Sequence, residues 1–484
     1  MGQAIVAADS QYNSVEIGEF VLKITELDSF SGTTRCIVFR IEIHDHVVGA
    51  LEIRQTHEIH VRIGNLENRR RLTNLEHDND SSVVLGGILT EICRAAVARG
   101  TLHYNFAHMR SLLGGLSPSY FLKRHWQRQP LLVRRAIPDF RDLLTLKQLI
   151  TLSANEACEA RLVIARDGKH EVVYGPLSRG IFRDLPQSNW TLLVQGINHV
   201  HPGARALLGR FSFLPHARLD DVMVSYAAPG GGVGPHFDSY DVFLLQGLGQ
   251  RSWQVGVQTD LELVADSELK ILKRFRPSGS CVLGNGDMLY LPPRFAHNGV
   301  ALDACLTYSI GFRAPGYDEL KTGFLAYLDD SMHIEGQYQD PGLTPPTHPA
   351  ELGNKMIDQI TAALSQISWK RSDVICFLGR YLSEPKSHVV LEQAPTLDYG
   401  EFSRRAQAEG IEVHPALPLL FRGGQAFING EALELKPGSR KAIIALADQR
   451  RLTARQVRKA RGALRTLHNW YRNGYISTGE WSQT

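Results

Sequence analysis

Gly234-Pro-His-Phe-Asp-Ser-Tyr-Asp241 is the stretch that decides how this chain is read, and Gly286-Asp-Met-Leu-Tyr-Leu-Pro-Pro-Arg-Phe-Ala-His297 answers it further along. His236 and Asp238 stand two residues apart, so on a strand both side chains point to one face. A second imidazole, His297, returning from a distant strand, gives two histidines and one carboxylate on one side of a metal. Such a facial set leaves coordination positions open, and with O2 chemistry it selects non-haem Fe(II). Three features coincide here: the His-x-Asp pair, a turn at Gly286-Asp287, and His297 following Leu291-Pro-Pro293. The run Ala227-Ala-Pro-Gly-Gly-Gly-Val-Gly-Pro235 opens no helix behind it, so it is not a nucleotide fingerprint. It reads as a flexible loop beside the metal, with Pro235 presetting the approach of His236.

Around these motifs the chain breaks into short apolar runs punctuated by glycine and proline, at 222–226, 241–246, 251–257, 287–291 and 304–312. Many short strands at this spacing indicate a β-sandwich or barrel rather than a parallel α/β sheet. Arg251 opens one of them and faces the same interior as the metal. A buried guanidinium needs an acid, and its planar fork grips a carboxylate through two hydrogen bonds. The distal carboxylate of 2-oxoglutarate meets that need; a surface arginine at a hairpin end is the other reading. Upstream, Ser117-Pro-Ser-Tyr-Phe-Leu-Lys-Arg has the serine cap and first-turn proline of a short helix, followed by a strand at 131–133.

At 484 residues the chain holds two to four domains, and its 43% hydrophobic and 21% charged content is ordinary for a globular protein. A net charge of +3 argues against a nucleic-acid coat protein while leaving room for a local basic patch. The six cysteines form no CxxC pair, which points away from disulfides or a cysteine zinc site and toward a reducing cytosol. The N-terminal residues lack the features of a signal peptide, and no stretch of about 18 uninterrupted apolar residues appears. A cytoplasmic protein is expected.

Residues 1–108 read as a small α+β unit, with strands at 20–27, 35–44, 47–55 and 58–63, polar loops at 69–71 and 77–80, and a helix at 82–99. This order weakly resembles part of a GNAT-type acetyltransferase, but the phosphate-cradling loop is unconvincing and no acetyl-CoA site is expected. His44-Asp-His46 falls where a hairpin turn belongs, and an isolated pair supplies too few ligands for a metal. Helices are expected at 318–329, 349–366 and 372–381. The segment 399–484 combines helices at 399–408, 440–448 and 453–473 with strands at 416–421 and 425–428 and an Asn429-Gly430 turn. Helices with a small hairpin suggest a winged helix.

The run from His236 through Gly256 resembles the bacterial ribosomal oxygenases of the JmjC/cupin class, and the similarity extends from about Met109 to the C-terminus. The resemblance implies a mainly β fold with helical additions. It divides into a JmjC-type double-stranded β-helix at 109–317, a helical dimerisation segment at 318–398 and a winged helix at 399–484. Residues 1–108 are then an N-terminal extension, either a fused accessory domain or an over-long start. The resemblance further implies Fe(II), 2-oxoglutarate and O2, and hydroxylation of the β-carbon of an arginine in a large-subunit ribosomal protein. Iron would fall to His236, Asp238 and His297, and 2-oxoglutarate to Arg251, with Ser225 and Ser309 as further co-substrate contacts. A homodimer is also implied. Tyr240 and Asp241 are candidate substrate contacts, because an arginine calls for an acidic or hydrogen-bonding partner; strand packing and turn capping are their other reading. From Arg440 to Arg472 ten basic residues face a single acid, Asp448, which suits either ribosomal RNA or a solvated helix face. A JmjC-type demethylase of lysine or arginine and a non-catalytic nucleic-acid-binding adaptor are the competing functions.

Overall fold

The computed structural model describes the strands between 26 and 71 and, after them, residues 112–481 apart from 167–168, 266, 388, 392–396 and 480. It separates into two compact units, Met1–Tyr104 and Asn105–Thr484.

The first unit contains one antiparallel sheet in sequential order: β1 (Glu26–Asp28), β2 (Cys36–Ile43), β3 (His46–Arg54), β4 (Glu58–Ile63) and β5 (Leu66–Arg71). Pairing of β2 with β3 runs up to Ile43 opposite His46, while His44 and Asp45, expected in a hairpin turn, lie outside the described residues. Arg69–71, expected in a polar loop, instead lie in β5, because pairing with β4 overrides their weak intrinsic preference. The helix expected at 82–99 lies outside the described residues.

The second unit opens with α1 (Pro118–Arg124), capped by the Ser117 hydroxyl, and then β6 (Leu131–Val133) and α2 (Leu146–Leu152). Three strands that the sequence reading omitted follow: β7 (Ala160–Arg166), β8 (Lys169–Tyr174) and β9 (Trp190–Val194). Two short helices, α3 (Ile197–Val200) and α4 (Pro202–Gly209), lead to β10 (Leu219–Ala227), β11 (Asp241–Gln246) and β12 (Arg251–Gly256). Next come β13 (Gly279–Leu283), β14 (Met288–Leu291), β15 (Ala296–Ala301) and β16 (Cys305–Phe312). These form an eight-stranded sheet, β6-β14-β11-β16-β10-β9-β7-β8, and a three-stranded sheet, β13-β12-β15. Strand alternation divides β11 between two cores. Val242 and Leu244 turn inward onto Trp253 and Leu283 of the small sheet, while Phe243 and Leu245 turn outward onto a larger core with Phe121 and Tyr290. The expected cupin barrel is therefore present.

Beyond the barrel stand α5 (Tyr317–Ser331), α6 (Asn354–Leu364) and α7 (Arg371–Ser383), then α8 (Tyr399–Glu409). β17 (Ile411–Val413) pairs later with β21 (Arg451–Leu452) and β22 (Ile476–Thr478). A second sheet contains β18 (Leu419–Arg422), β19 (Gln425–Ile428) and β20 (Glu431–Glu434). Asn429-Gly430 turns β19 into β20, a strand missing from the sequence reading. After α9 (Pro437–Gln449) the single helix expected at 453–473 is broken into α10 (Ala454–Lys459), a 3₁₀ turn and α11 (Leu464–Arg472). Gly462 explains the break, because a Cβ there would lie 2.7 Å from the Gly438 carbonyl oxygen. No helix among the described residues is long and apolar enough to cross a membrane.

Candidate metal centre

His236 is not inside a strand, as the two-residue spacing suggested, but at an isolated antiparallel bridge opposite His297. The bridge is doubly bonded: the His236 amide donates to the His297 carbonyl at 2.9 Å, and the His297 amide donates back at 2.8 Å. Two residues on, the Asp238 carbonyl accepts the Arg294 amide at 2.7 Å. Backbone pairing thus positions Asp238 beside both imidazoles without a regular strand. The preceding glycine-rich run is pinned rather than free, with the Gly230 amide on the Ala301 carbonyl at 2.8 Å and the Ala301 amide on the Gly231 carbonyl at 2.9 Å.

Ligand-capable atoms of His236, Asp238 and His297 all lie within 4.8 Å of one another. The imidazole centroids are 4.2 Å apart, and His297 Nε2 lies 3.7 Å from Asp238 Oδ2. Nδ1 of His236 and of His297 each lies 2.9 Å from a backbone carbonyl, of Gly234 and Phe295 respectively. Donation there fixes the tautomer and leaves both Nε2 lone pairs for a metal. Burial, reinforced by His236 and opposed by Asp238, pulls His297 down to about 4, so it stands neutral and ready to ligate. The donor set and its orientation fit Fe(II) in an open facial site.

Arg251 lies in the same barrel and is 4% exposed. Its Nη1 donates to Ser225 Oγ at 3.3 Å and its Nη2 to the Gly299 carbonyl at 3.1 Å, while Nε is buried without a hydrogen-bond partner. The guanidinium stacks 4.9 Å from the Trp253 ring, and Trp253 lies 5.9 Å from the His297 ring. Among the described residues no carboxylate forms an ion pair with it. A charge left so poorly compensated leaves a place for an anion. Ser225 and Ser309 are both buried, and strand register puts them on one face, with Ser225 opposite Thr307 and Ser309 opposite Leu244. Sequence reasoning missed Trp253 and Gly299; a glycine inside a strand, marking close approach of another group, was the available signal for the latter. A Cβ on Gly299 would sit 2.6 Å from Trp253 and 2.8 Å from Arg251 Nε.

Tyr240 is 37% exposed and borders an open cleft of about 370 Å³ walled by Asp220, Glu319, Tyr381, Glu384 and Lys386. Asp241 does not reach that cleft's lining. It is fully buried, accepting from the Tyr290 hydroxyl at 2.6 Å, Gln127 Nε2 at 2.9 Å and Arg218 Nη2 at 3.1 Å. Its charge is engaged inside the fold, so the geometry favours the packing role over substrate contact.

Comparison with known proteins bears on this geometry. A JmjC domain model matches residues 206–320, and a ROXA-like winged-helix model matches 366–477. The ribosomal protein uL16 3-hydroxylase of Escherichia coli (strain K12) is 34% identical over 337 residues, spanning 69% of this chain and 89% of the relative. The chain belongs to the ribosomal oxygenase family. This ribosomal oxygenase also superposes on YcfD, a ribosomal oxygenase from Escherichia coli, with a TM-score of 0.65 at 32% identity, covering 75% of this chain and 98% of that one. A YcfD structure in complex with cobalt and 2-oxoglutarate gives a TM-score of 0.64 at 33% identity, with the same coverage. The matched region takes in the barrel and the winged helix, so the mainly β cupin architecture with a winged helix is the family fold.

Proposed function

We propose that this ribosomal oxygenase is an Fe(II)- and 2-oxoglutarate-dependent protein hydroxylase that acts on the β-carbon of an arginine in a large-subunit ribosomal protein. The observation that carries the reading is Arg251, a buried guanidinium without an acid, inside the barrel that also assembles the His-Asp-His set. Support comes from the relative named as a ribosomal protein uL16 3-hydroxylase and from the YcfD complex with cobalt and 2-oxoglutarate. In this reading His236, Asp238 and His297 hold the iron. Bound there, it supplies the O2 activation and electron transfer that no side chain provides.

The chain's own residues orient and exclude. Arg251 and Ser225 take the distal carboxylate of the co-substrate, and Ser309 lines the same wall. Trp253 shields that grip from water, which strengthens it. Tyr240 meets the substrate at the barrel mouth, and the adjoining cleft, with three carboxylates and Lys386, suits a basic polypeptide. Residues 1–108 are an N-terminal extension that precedes the catalytic domain in the sequence, and the enzyme works in the cytoplasm. Helix α6 is amphipathic yet buries none of its residues, and Met356, Ile357, Ile360 and Leu364 are all exposed. A second copy of the chain covers them in a homodimer, which light scattering of an Ile357→Lys, Ile360→Lys variant tests.

Mass spectrometry of ribosomal proteins from cells with and without the gene tests the main reading. One arginine should carry an extra oxygen atom only when the chain is present and lose it with His236→Ala. Unaltered ribosomal proteins, or formaldehyde release from a methylated peptide in place of stable oxygen addition, would sink it.

A further inference from the structure

Positive charge in this molecule is gathered on the winged-helix domain. From residue 436 to 479 the sequence contains eleven Lys and Arg and one acid, Asp448, in a chain whose net charge is only +3. The remainder is therefore net acidic. Arg450 is consumed internally, its guanidinium donating to the carbonyls of Leu417 at 2.6 Å and His414 at 2.9 Å. The other basic residues of this segment are all exposed, and none forms an ion pair among the described residues.

The fold brings them together. Arg465 and Arg472 lie seven residues apart on α11, on the side opposite the buried Leu467 and Trp470. Arg461 occupies the turn that enters this helix. That turn packs against the start of α9, where the Gly438 and Gly462 backbones touch, so Arg440 and Lys441 of α9 follow directly from the contact. Arg458 of α10 donates to the Gln407 carbonyl at 2.6 Å, and Arg465 stacks 5.8 Å from the exposed Tyr399 ring, tying α10 and α11 to the two ends of α8. Clustered like charges repel unless a polyanion neutralises them, and a surface of this kind raises a potential of several kT. Arginine predominates over lysine, which suits bidentate grips on phosphate. The Tyr399–Arg465 stack adds a platform for an unpaired base, a feature of single-stranded loops in folded RNA rather than of duplex DNA.

We infer that the exposed basic surface built by α9, α10 and α11 is a docking site for a folded RNA, giving the oxygenase a hold on ribonucleoprotein separate from its barrel. The inference does not depend on the hydroxylase reading: a chain that binds RNA but makes no succinate would sink that reading and leave this one standing.

The test is fluorescence anisotropy of the full chain with a fluorescein-labelled RNA hairpin, titrated with KCl from about 50 to 300 mM. An Arg461→Glu, Arg465→Glu, Arg472→Glu variant should bind at least ~30-fold more weakly, with a log–log salt slope shallower by about 2. Succinate formation from 2-oxoglutarate should be unchanged, since none of the three touches the metal centre. Arg455→Gln, Arg458→Gln, Lys459→Gln, which adds no repulsion, decides the matter if the glutamate variant fails to fold. Unaltered affinity and slope in a folded variant overturns the inference. Equal binding of a duplex DNA of matched length, or equal competition by polyglutamate, overturns it as well.

Discussion

Replacing Arg251 by methionine removes a charge for which the barrel supplies no acid, while keeping much of the stem that packs on Trp253. The guanidinium spends its Nη groups on two neutral oxygens at 3.3 and 3.1 Å, long for charged donors, and Nε has no partner. A carboxylate arriving there gains a buried, charge-assisted grip. Truncating one side of such a pair costs roughly 2–5 kcal/mol, or about 30-fold to several thousand-fold in Kd. The assay is calorimetry with 2-oxoglutarate and Mn(II) in the absence of O2. Wild-type protein should bind 2-oxovalerate, the same keto acid without the distal carboxylate, about as weakly as the variant binds 2-oxoglutarate. The variant should no longer distinguish the two. The ligand-free variant should be no less stable than wild type, because a poorly compensated buried charge has been lost. A Kd for 2-oxoglutarate within threefold of wild type would refute the assignment of Arg251.

Other consequences test separate parts of the structure. Gly299→Ala drives a methyl into Trp253 and Arg251 Nε, so KM for 2-oxoglutarate should rise at least ~10-fold with the fold intact by circular dichroism; an unchanged KM shows that the wall yields. Asp241→Asn leaves Arg218 unpaired and weakens the Tyr290 bond, which should cost about 3 kcal/mol in urea denaturation, and a loss below about 0.5 kcal/mol contradicts the buried pairing. His414 is pulled down to about 4 by burial, then by Arg450 and Arg205. Below pH ~6.5 the unfolded chain therefore takes up a proton that the folded domain refuses, and stability falls by up to about 1.4 kcal/mol per pH unit until pH ~4. His414→Asn should flatten that slope; an equally steep profile in the variant removes His414 as its source.

The metal triad was legible because its residue types are rare in combination and their neighbours, Pro235 and Leu291-Pro-Pro293, announce turns. Strand β11 was legible from an uninterrupted apolar run bounded by an acid and a glycine. Strand β15, Ala296–Ala301, was not, since alanine, asparagine and glycine give it little preference for extended structure. Its conformation comes from pairing with β12, where Trp253 stands opposite Gly299. The same contact hides the environment of Arg251, which depends on a carbonyl contributed forty-eight residues away. Asp241 misled because a carboxylate three residues after a candidate metal ligand suits a substrate equally well, and only burial shows that Arg218, Tyr290 and Gln127 already occupy it. The broken helix at Gly462 was invisible for a similar reason: the interruption answers a neighbour, Gly438, that lies far off in the chain.

The doubly bonded bridge between His236 and His297 means that peptide groups, not the ion, set the spacing of the imidazoles. The centre is thus a clasp closed before anything is placed in it. Stripping the metal with a chelator should leave the barrel folded, and one divalent ion should replace another without local unfolding. Such a rigid, open clasp does little to reject one divalent ion in favour of another, so the identity of the bound metal follows the supply in the cell.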